Sequence, residues 1–390
     1  MKAIKSVLIT EASQKNALAC VRSLGKEGIK VFVIANHFLD ISRFSKYCSG
    51  SLVISHLDKG AISDFIKKKD IDLVMPVGTN SVKFFCEHTS FFKDKIQYLI
   101  PNESQINLAM SKKSTMEAAQ KLDIPVPKTL FPISIEDAKD HAAEIGFPCV
   151  IKWIYEVGEN VVDYAHSEEE FSEKYLNMCN KYNFNTETGF PMVQEFIDGV
   201  GVGFFGLFYN GRCIDYYQHQ RVREAPPSGG VSVCAQTIYD DSLQKYGKSL
   251  LSNLKWNGVA MVEFKMLKDN SLVLMEINPK FWGSLDLGIK AGANFPVSIV
   301  NLLSKSNSNT LNASGNYSKN VKVYWPLDGD ISYMFNDFAR FKNVVIDMLN
   351  PNVKSNISII NDPLPTIIQI MTKILILFRN LFRNLFRNLF

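Results

Sequence analysis

Short β-branched runs at 7–10, 31–35 and 73–76 mark the first part of the chain. Between the first two lies 14–26, where Ala17, Leu18, Val21 and Leu24 recur at helical spacing and Gly25 and Gly28 close the helix. Strand, helix and strand in about thirty residues make a βαβ unit, which predicts an open parallel sheet. No G-x-G-x-x-G follows the first strand, so a dinucleotide site has little support there.

A second pattern opens near Pro101. An amphipathic helix is expected over 108–122, stopped by Pro125 and Pro127, and another from Ser134 to Gly146 and Pro148. The apolar run 149–153 reads as a strand, and Ser167 with Glu170 as a capping box. Strand patterns then dominate, at 192–197, 203–209, 259–267 and 272–277, the last two joined by the four-residue turn 268–271. Helices with an antiparallel sheet indicate an α+β unit after the α/β one. Residues 304–320 are rich in Ser, Asn and Gly and read as a linker. One more strand is expected at 321–326 and a helix over 331–349. The tail from 377 repeats Leu-Phe-Arg-Asn, a four-residue step that keeps Arg379, Arg383 and Arg387 on one drifting helical face.

At 390 residues the chain exceeds one typical core, and its 46% hydrophobic and 21% charged content is that of an ordinary globular protein. The net charge of +4 is mild and interspersed, which gives no warrant for a nucleic-acid partner. Seven cysteines, odd in number and never paired as C-x-x-C, argue against a disulfide framework or a zinc site and fit a reducing cytoplasm. The first residues do not form a signal peptide, and no uncharged apolar run of spanning length precedes residue 366.

The strongest chemical signal is Glu263 in the strand 259–267 with Glu276 and Asn278 on its antiparallel neighbour. On adjacent strands the three can share one face. Two carboxylates and an amide oxygen are hard ligands suited to magnesium or manganese, with phosphates and water completing the shell. The alternative is a pair of solvated strand acids, though strands this apolar rarely turn an acid inward without a partner. Lys152 ends the run 147–152 (FPCVIK), and Lys112, or its neighbour Lys113, begins a helix; either could neutralise phosphate oxygens. Alone, Lys152 could equally be a snorkelling surface lysine. Alternation in 218–230 (QHQRVREAPPSGG) sets His219, Arg221 and Arg223 on one side of a strand, a cationic row suited to an anion. The plainer reading is a solvated edge, with His219 a structural hydrogen-bonder.

Together these pieces resemble the ATP-grasp superfamily, in its carbamoyl-phosphate-synthase-like and carboxylate–amine ligase branch, over 1–303. Ser111-Lys112 opens a helix that ends in DIPVP at 123–127, like the family's Asp-Lys helix. The run 147–152 looks like its phosphate strand, 192–199 (MVQEFIDG) like its hinge, and 276–280 (EINPK) like its metal and substrate motif. The resemblance implies an N-terminal α/β pre-ATP-grasp domain at 1–103 and an ATP-grasp domain of two ATP-clamping subdomains at 104–303. The linker 304–320 and a C-terminal extension over 321–390 follow. It further implies ATP and Mg²⁺ as cofactors, with metal on Glu263, Glu276 and Asn278. Lys112 and Lys152 would hold phosphates, while Gln194, Glu195, Phe196 and Ile197 would hold adenine. Arg221, Arg223 and Lys280 would stabilise charge on the transferring group. The expected reaction is ATP-dependent joining of a carboxylate to an amine through an acyl phosphate, with small-molecule carboxylate and amine as partners.

Three departures qualify the match: the lid 153–158 (WIYEVG) holds one glycine, Lys280 stands for the usual Arg, and Ser111 for Asp. A kinase-like or carboxylase-like member of the superfamily, or a membrane-associated ATP-binding module without turnover, remains open. The tail 366–390 carries Lys373, Arg379, Arg383 and Arg387, too many charges for a spanning helix. It reads as a helix lying at an inner membrane surface, as one docked on the protein or on a second copy, or as a repeat-expanded end without a role.

Overall fold

The computed structural model of the chain describes residues 3–155, 161–225, 230–304, 315–334 and 338–387. The first strands, β1 (Ser6–Ile9), β2 (Lys30–Ala35), β3 (Cys48–Val53) and β4 (Leu73–Met75), form a parallel sheet in the order β3-β2-β1-β4. All of β1 and β4 is buried, as a strand covered on both faces requires. Helix α1 (Lys15–Lys26) packs Ala17, Val21 and Leu24 with Val7, Ile9 and Val33. Helix α2 (Thr79–Glu87) follows β4 directly.

The helix expected over 108–122 is broken at Ser111, giving Glu103–Met110 and then α3 (Lys112–Gln120). Ser111 takes an extended backbone and its Oγ accepts from Ser114 N at 3.2 Å, so a new N-cap interrupts the old helix. A small antiparallel sheet follows, β5 (Thr129–Leu130), β6 (Cys149–Lys152), β7 (Val162–Ala165) and β8 (Met192–Glu195), in the order β5-β8-β6-β7. Helices Ile135–Ile145 and Glu168–Tyr182 cover it, burying Ala138, Ala142, Phe171 and Tyr175 against Ile151 and Val193. Ser134 accepts from Asp137 N and Ser167 from Glu170 N, as expected, but the Glu170 carboxylate takes His166 N instead of Ser167 N, so the expected capping box is only half formed.

The large sheet has seven strands in the order β13-β12-β9-β10-β11-β14-β15. They are β9 (Val200–Tyr209), β10 (Arg212–Ala225), β11 (Val231–Ile238), β12 (Gly258–Met266), β13 (Leu272–Asn278), β14 (Lys322–Tyr324) and β15 (Val353–Ser355). All pairings are antiparallel except β14 with β15. One core joins this sheet to the first: Val7, Ile9 and Val33 share it with Phe205, Tyr217, Trp282 and Trp325.

The C-terminal segment is therefore built into the large sheet. Of the expected linker, 305–314 lies outside the described residues, but Ser318 O accepts from Thr237 Oγ1 at 2.8 Å. The helix expected over 331–349 appears as Asp330–Met334 and Phe338–Leu349, with 335–337 outside the described residues. Tail helix α4 (Leu364–Arg387) packs against the turn Ile41–Phe44. Just before it, buried Asp362 takes Arg22 Nε at 2.8 Å, Ser45 Oγ at 2.9 Å and Lys46 N at 2.9 Å. The beginning of the tail is thus docked on the N-terminal sheet unit. Ile367, Met371, Leu375 and Phe378 of α4 are exposed. No described helix is long and apolar enough to cross a membrane.

Candidate functional site

In the β12–β13 ladder Glu263 lies directly opposite Glu276, and Met261 opposite Asn278. Val262 and Phe264 alternate into the core beneath, and Leu274 and Ile277 join them across a register shift that leaves Met275 unpaired, so the polar residues face the other way. There they line a cleft of about 1090 Å³ with Lys112, Lys152, His219, Arg221 and Lys280. The side chains are tied together. Asn278 Nδ2 donates to Glu276 Oε1 at 2.9 Å, Lys152 Nζ stands 4.0 Å from Glu276 Oε2, and Arg221 Nη2 donates to Glu263 Oε2 at 2.5 Å.

The two facing carboxylates differ in charge environment. Burial raises the pKa of Glu263, with Glu276 adding to the effect against the pull of Arg221. Burial also pushes Glu276 up, but Lys152 and Lys112, the Asn278 amide and Arg221 outweigh it and hold Glu276 below the ordinary value. Two carboxylates and an amide oxygen suit a hard divalent cation, which would relieve their mutual repulsion. The donor set fits magnesium.

Lys152 reaches the cleft from the end of β6, beside Met192 of β8. Lys112 is the first residue of α3, buried, with its N–H donating to Ile154 O at 2.9 Å. Lys113 Nζ instead lies over the Phe131 ring, 5.1 Å from its centroid, and is not among the cleft-lining residues. Lys280 Nζ donates to Thr79 Oγ1 at 2.9 Å, linking the end of β13 to the start of α2. Arg221 reaches Glu263 past Gly201, where an added Cβ would lie 2.8 Å from the Arg221 Cδ.

Strict alternation also fails in β10. The β10–β11 register slips between Arg221 and Arg223, and the bulge turns Arg223 away from the cleft. Arg223 is buried, with Nε and Nη2 donating to the two oxygens of Asp330 at 2.8 and 2.7 Å and Nη1 paired with Asp347. The expected row of His219, Arg221 and Arg223 is thus reduced to its first two members. His219 is fully buried, stacked on Phe205 with ring centroids 4.3 Å apart, and its Nε2 shares a hydrogen bond with Ser284 Oγ at 3.0 Å. Burial lowers its pKa to about 3, so the ring is neutral at physiological pH.

Gln194 and Glu195 end the inner strand β8 and Phe196 and Ile197 follow it, all four outside the cleft lining found among the described residues. Gln194 is buried and its Nε2 donates to Thr129 Oγ1 at 2.9 Å. Glu195 exchanges hydrogen bonds with the Lys128 backbone, through N at 2.9 Å and Oε2 at 3.2 Å. Phe196 is exposed and packs edge-on against Tyr164, itself a cleft residue; Ile197 is half-buried. The lid segment beyond Tyr155 falls on 156–160, and the glycine turn of the substrate loop on 226–229, both outside the described residues.

Sequence reasoning missed the N-terminal and C-terminal walls. Glu11, Ser13 to Asn16 and Gly78 to Asn80 line the cleft from the first sheet, and Asp328 and Lys373 from the C-terminal segment. The first group was findable, because these residues follow β1 and β4 and lie at the carboxyl ends of strands in an open parallel sheet.

Two flanking sheets and a cleft with this donor set are the ATP-grasp arrangement. The chain belongs to the ATP-grasp superfamily. It stands in that superfamily's biotin-carboxylase and carbamoyl-phosphate-synthase-like branch. Residues 208–324 match the model of a family described as "ATP-grasp in the biosynthetic pathway with Ter operon". Over 243 residues the chain is 26% identical to pyruvate carboxylase of Staphylococcus aureus, covering 58% of this chain and 20% of that one. It is 24% identical to the carbamoyl phosphate synthase large chain of Saccharolobus islandicus, covering 59% and 22%. The chain thus spans about a fifth of the length of these curated relatives. Among solved structures it resembles the biotin carboxylase domain of 2-oxoglutarate carboxylase from Hydrogenobacter thermophilus, in complex with MgADP, ADP and bicarbonate. That likeness has a TM-score of 0.66 at 16% identity and covers 83% of this chain and 74% of that one.

Proposed function

We propose that this chain uses MgATP to phosphorylate a carboxylate and passes the resulting acyl phosphate to a nitrogen nucleophile, forming an amide and releasing ADP and phosphate. The observation that carries the reading is the facing pair Glu263 and Glu276, set between Lys152 and Arg221 in one cleft. Glu263, Glu276 and Asn278 would hold the magnesium, which when bound neutralises charge on the nucleotide phosphates. Lys152 and Lys112 would take phosphate oxygens of ATP. Gln194, Glu195, Phe196 and Ile197 would hold adenine, through backbone groups in the case of Gln194, whose side chain is engaged by Thr129.

Arg221 and Lys280 would orient the carboxylate and offset charge on the phosphoryl group in transfer. Arg223 has no part in this, since Asp330 and Asp347 occupy its guanidinium. A carboxylate oxygen attacks the γ-phosphorus and the bond to the β-phosphate oxygen breaks, leaving ADP. The amine then adds to the acyl carbon, loses a proton and expels phosphate. Neutral His219 fits a positioning part, since it cannot supply a proton near neutral pH.

Bicarbonate as the carboxylate is a second reading, favoured by the carboxylase and carbamoyl phosphate synthase among the relatives and by the neighbouring structure with bicarbonate. The decisive experiment supplies candidate carboxylates with MgATP and hydroxylamine. A hydroxamate with stoichiometric ADP supports the acyl phosphate; AMP as the product would overturn it. ADP release that depends on bicarbonate rather than an organic acid selects the second reading.

A further inference from the structure

The strand order β3-β2-β1-β4 places a topological switch between β1 and β4: the chain leaves β1 toward β2 and returns to β1's other side as β4. Open parallel sheets bind ligands in the crevice at the carboxyl ends of such strands. Here both loops, Glu11 to Gln14 and the approach to Thr79, open into the cleft. The two helices that begin there differ. The start of α2 is already occupied, since the Glu11 carboxylate accepts from Gly78 N and from Ser81 Oγ, each at 2.9 Å. Glu11 holds φ at 51° to reach it, a left-handed backbone that non-glycine residues seldom adopt. At the start of α1 Gln14 gives no side-chain cap, Asn16 Oδ1 accepts from Ala17 N at 3.1 Å, and Gln14, Lys15 and Asn16 line the cleft.

Lys15, the first residue of α1, supplies the independent observation. Its ammonium is largely buried, lies over the Trp325 ring 4.7 Å from the centroid, and makes no hydrogen bond or ion pair among the described residues. Burial lowers its pKa; the charges of Asp328 and Asp286 oppose this and that of Lys373 adds to it. Both acids are engaged elsewhere. Asp328 accepts from Gln369 Nε2 at 2.8 Å and Asn356 Nδ2 at 3.0 Å, while Asp286 accepts from Trp325 Nε1 and Lys290 Nζ, each at 2.8 Å. Lys373 comes from tail helix α4 and also lines the cleft. A largely buried ammonium without a protein acceptor, a second lysine and a helix start without an N-cap side chain all favour a negative group between them.

We propose that Lys15, Lys373 and the start of α1 form a second anion pocket in the cleft, which recognises a carboxylate or phosphate group carried by the nitrogen-bearing acceptor. The assignment of that anion to the acceptor rests on the proposed function; the pocket itself does not. The tail helix thereby becomes part of substrate recognition, through a residue that lies beyond the stretch matched by the family model.

The test titrates the full chain with inorganic phosphate and with acetate, reading heat of binding and tryptophan fluorescence, the latter because Lys15 sits on Trp325. Saturable binding of at least one anion is expected, weakened at least about tenfold by Lys15→Met, the worth of one charge-assisted hydrogen bond. Lys373→Met should weaken it less, Lys15→Arg should retain it, and the exposed Lys68→Met should leave it unchanged. Preference for phosphate or for acetate tells which group the acceptor carries. Failure of MgADP to bind would remove the proposed function and leave this pocket standing. Anion binding absent from the wild-type chain, or equal in wild type, Lys15→Met and Lys373→Met, would overturn the pocket.

Discussion

Glu276 and Asn278 share a strand face and a hydrogen bond, and Glu276→Gln removes the charge while keeping the side chain's volume. Glu276→Gln and Asn278→Ala are expected to lower ADP formation at least about a hundredfold, in line with the loss of one preorganised electrostatic group, with an unchanged circular dichroism spectrum. Metal-dependent turnover near the wild-type rate in either variant would remove them from the metal set. His219 supports a prediction about pH. Its folded pKa of about 3 lies below the ordinary 6.5, so the unfolded chain binds the extra proton first. The stability tied to the neutral ring is intact above pH 6.5 and is lost progressively as pH falls toward 3. Urea midpoints of wild type and His219→Gln should therefore converge on acidification, the wild type losing several kcal/mol that the variant does not. A constant difference between them across that window would mean the ring is not buried neutral. Lys152 and Glu276 were legible from sequence because a charge in an otherwise apolar strand is conspicuous. The link from Arg221 to Glu263 was not, because the two are joined only when β9 brings β10 and β12 together.

At the scale of elements, the β-bulge in β10 separates two arginines that alternation would put side by side. One faces the cleft carboxylates, and the other clamps the C-terminal segment through Asp330 and Asp347, with Lys322 Nζ donating to Asp347 at 2.7 Å. Breaking a buried ion pair by removing one partner costs roughly 3–5 kcal/mol, since the remaining charge stays buried. Asp347→Ala should destabilise the chain by about that much, seen as a lower denaturant midpoint. Retention of MgADP affinity in the same variant under native conditions would accord with a bracing part for Arg223; selective loss of nucleotide binding at full stability would return Arg223 to the site. The sequence carries no sign of this bulge, because no glycine or proline stands at Val222. The break at Ser111 interrupts the helical pattern over 108–122, whereas the helix start that the resemblance gave to Ser111-Lys112 is where the structure has one.

The whole molecule is closed by its C-terminal segment, which adds β14 and β15 to the large sheet and then crosses to the N-terminal unit. Asp362 is the fastening: it is 2% exposed and meets Arg22, Ser45 and the Lys46 backbone. Asp362→Ala should lower the thermal midpoint and increase proteolytic cleavage between 356 and 390. If both stay at wild-type values, the tail is not docked in this way in solution. From the sequence alone came the parallel sheet, the antiparallel strands with their facing acids, and the order of motifs that identifies the superfamily. All of these rest on periodicities and residue types that are local in the chain. Tertiary structure decided which arginine meets the carboxylates, that Lys15, Glu11 and Lys373 share their cleft, and that the tail begins as a docked helix. Those outcomes depend on contacts between residues hundreds of positions apart, such as Arg22 with Asp362 and Lys15 over Trp325, and no local pattern encodes such a meeting.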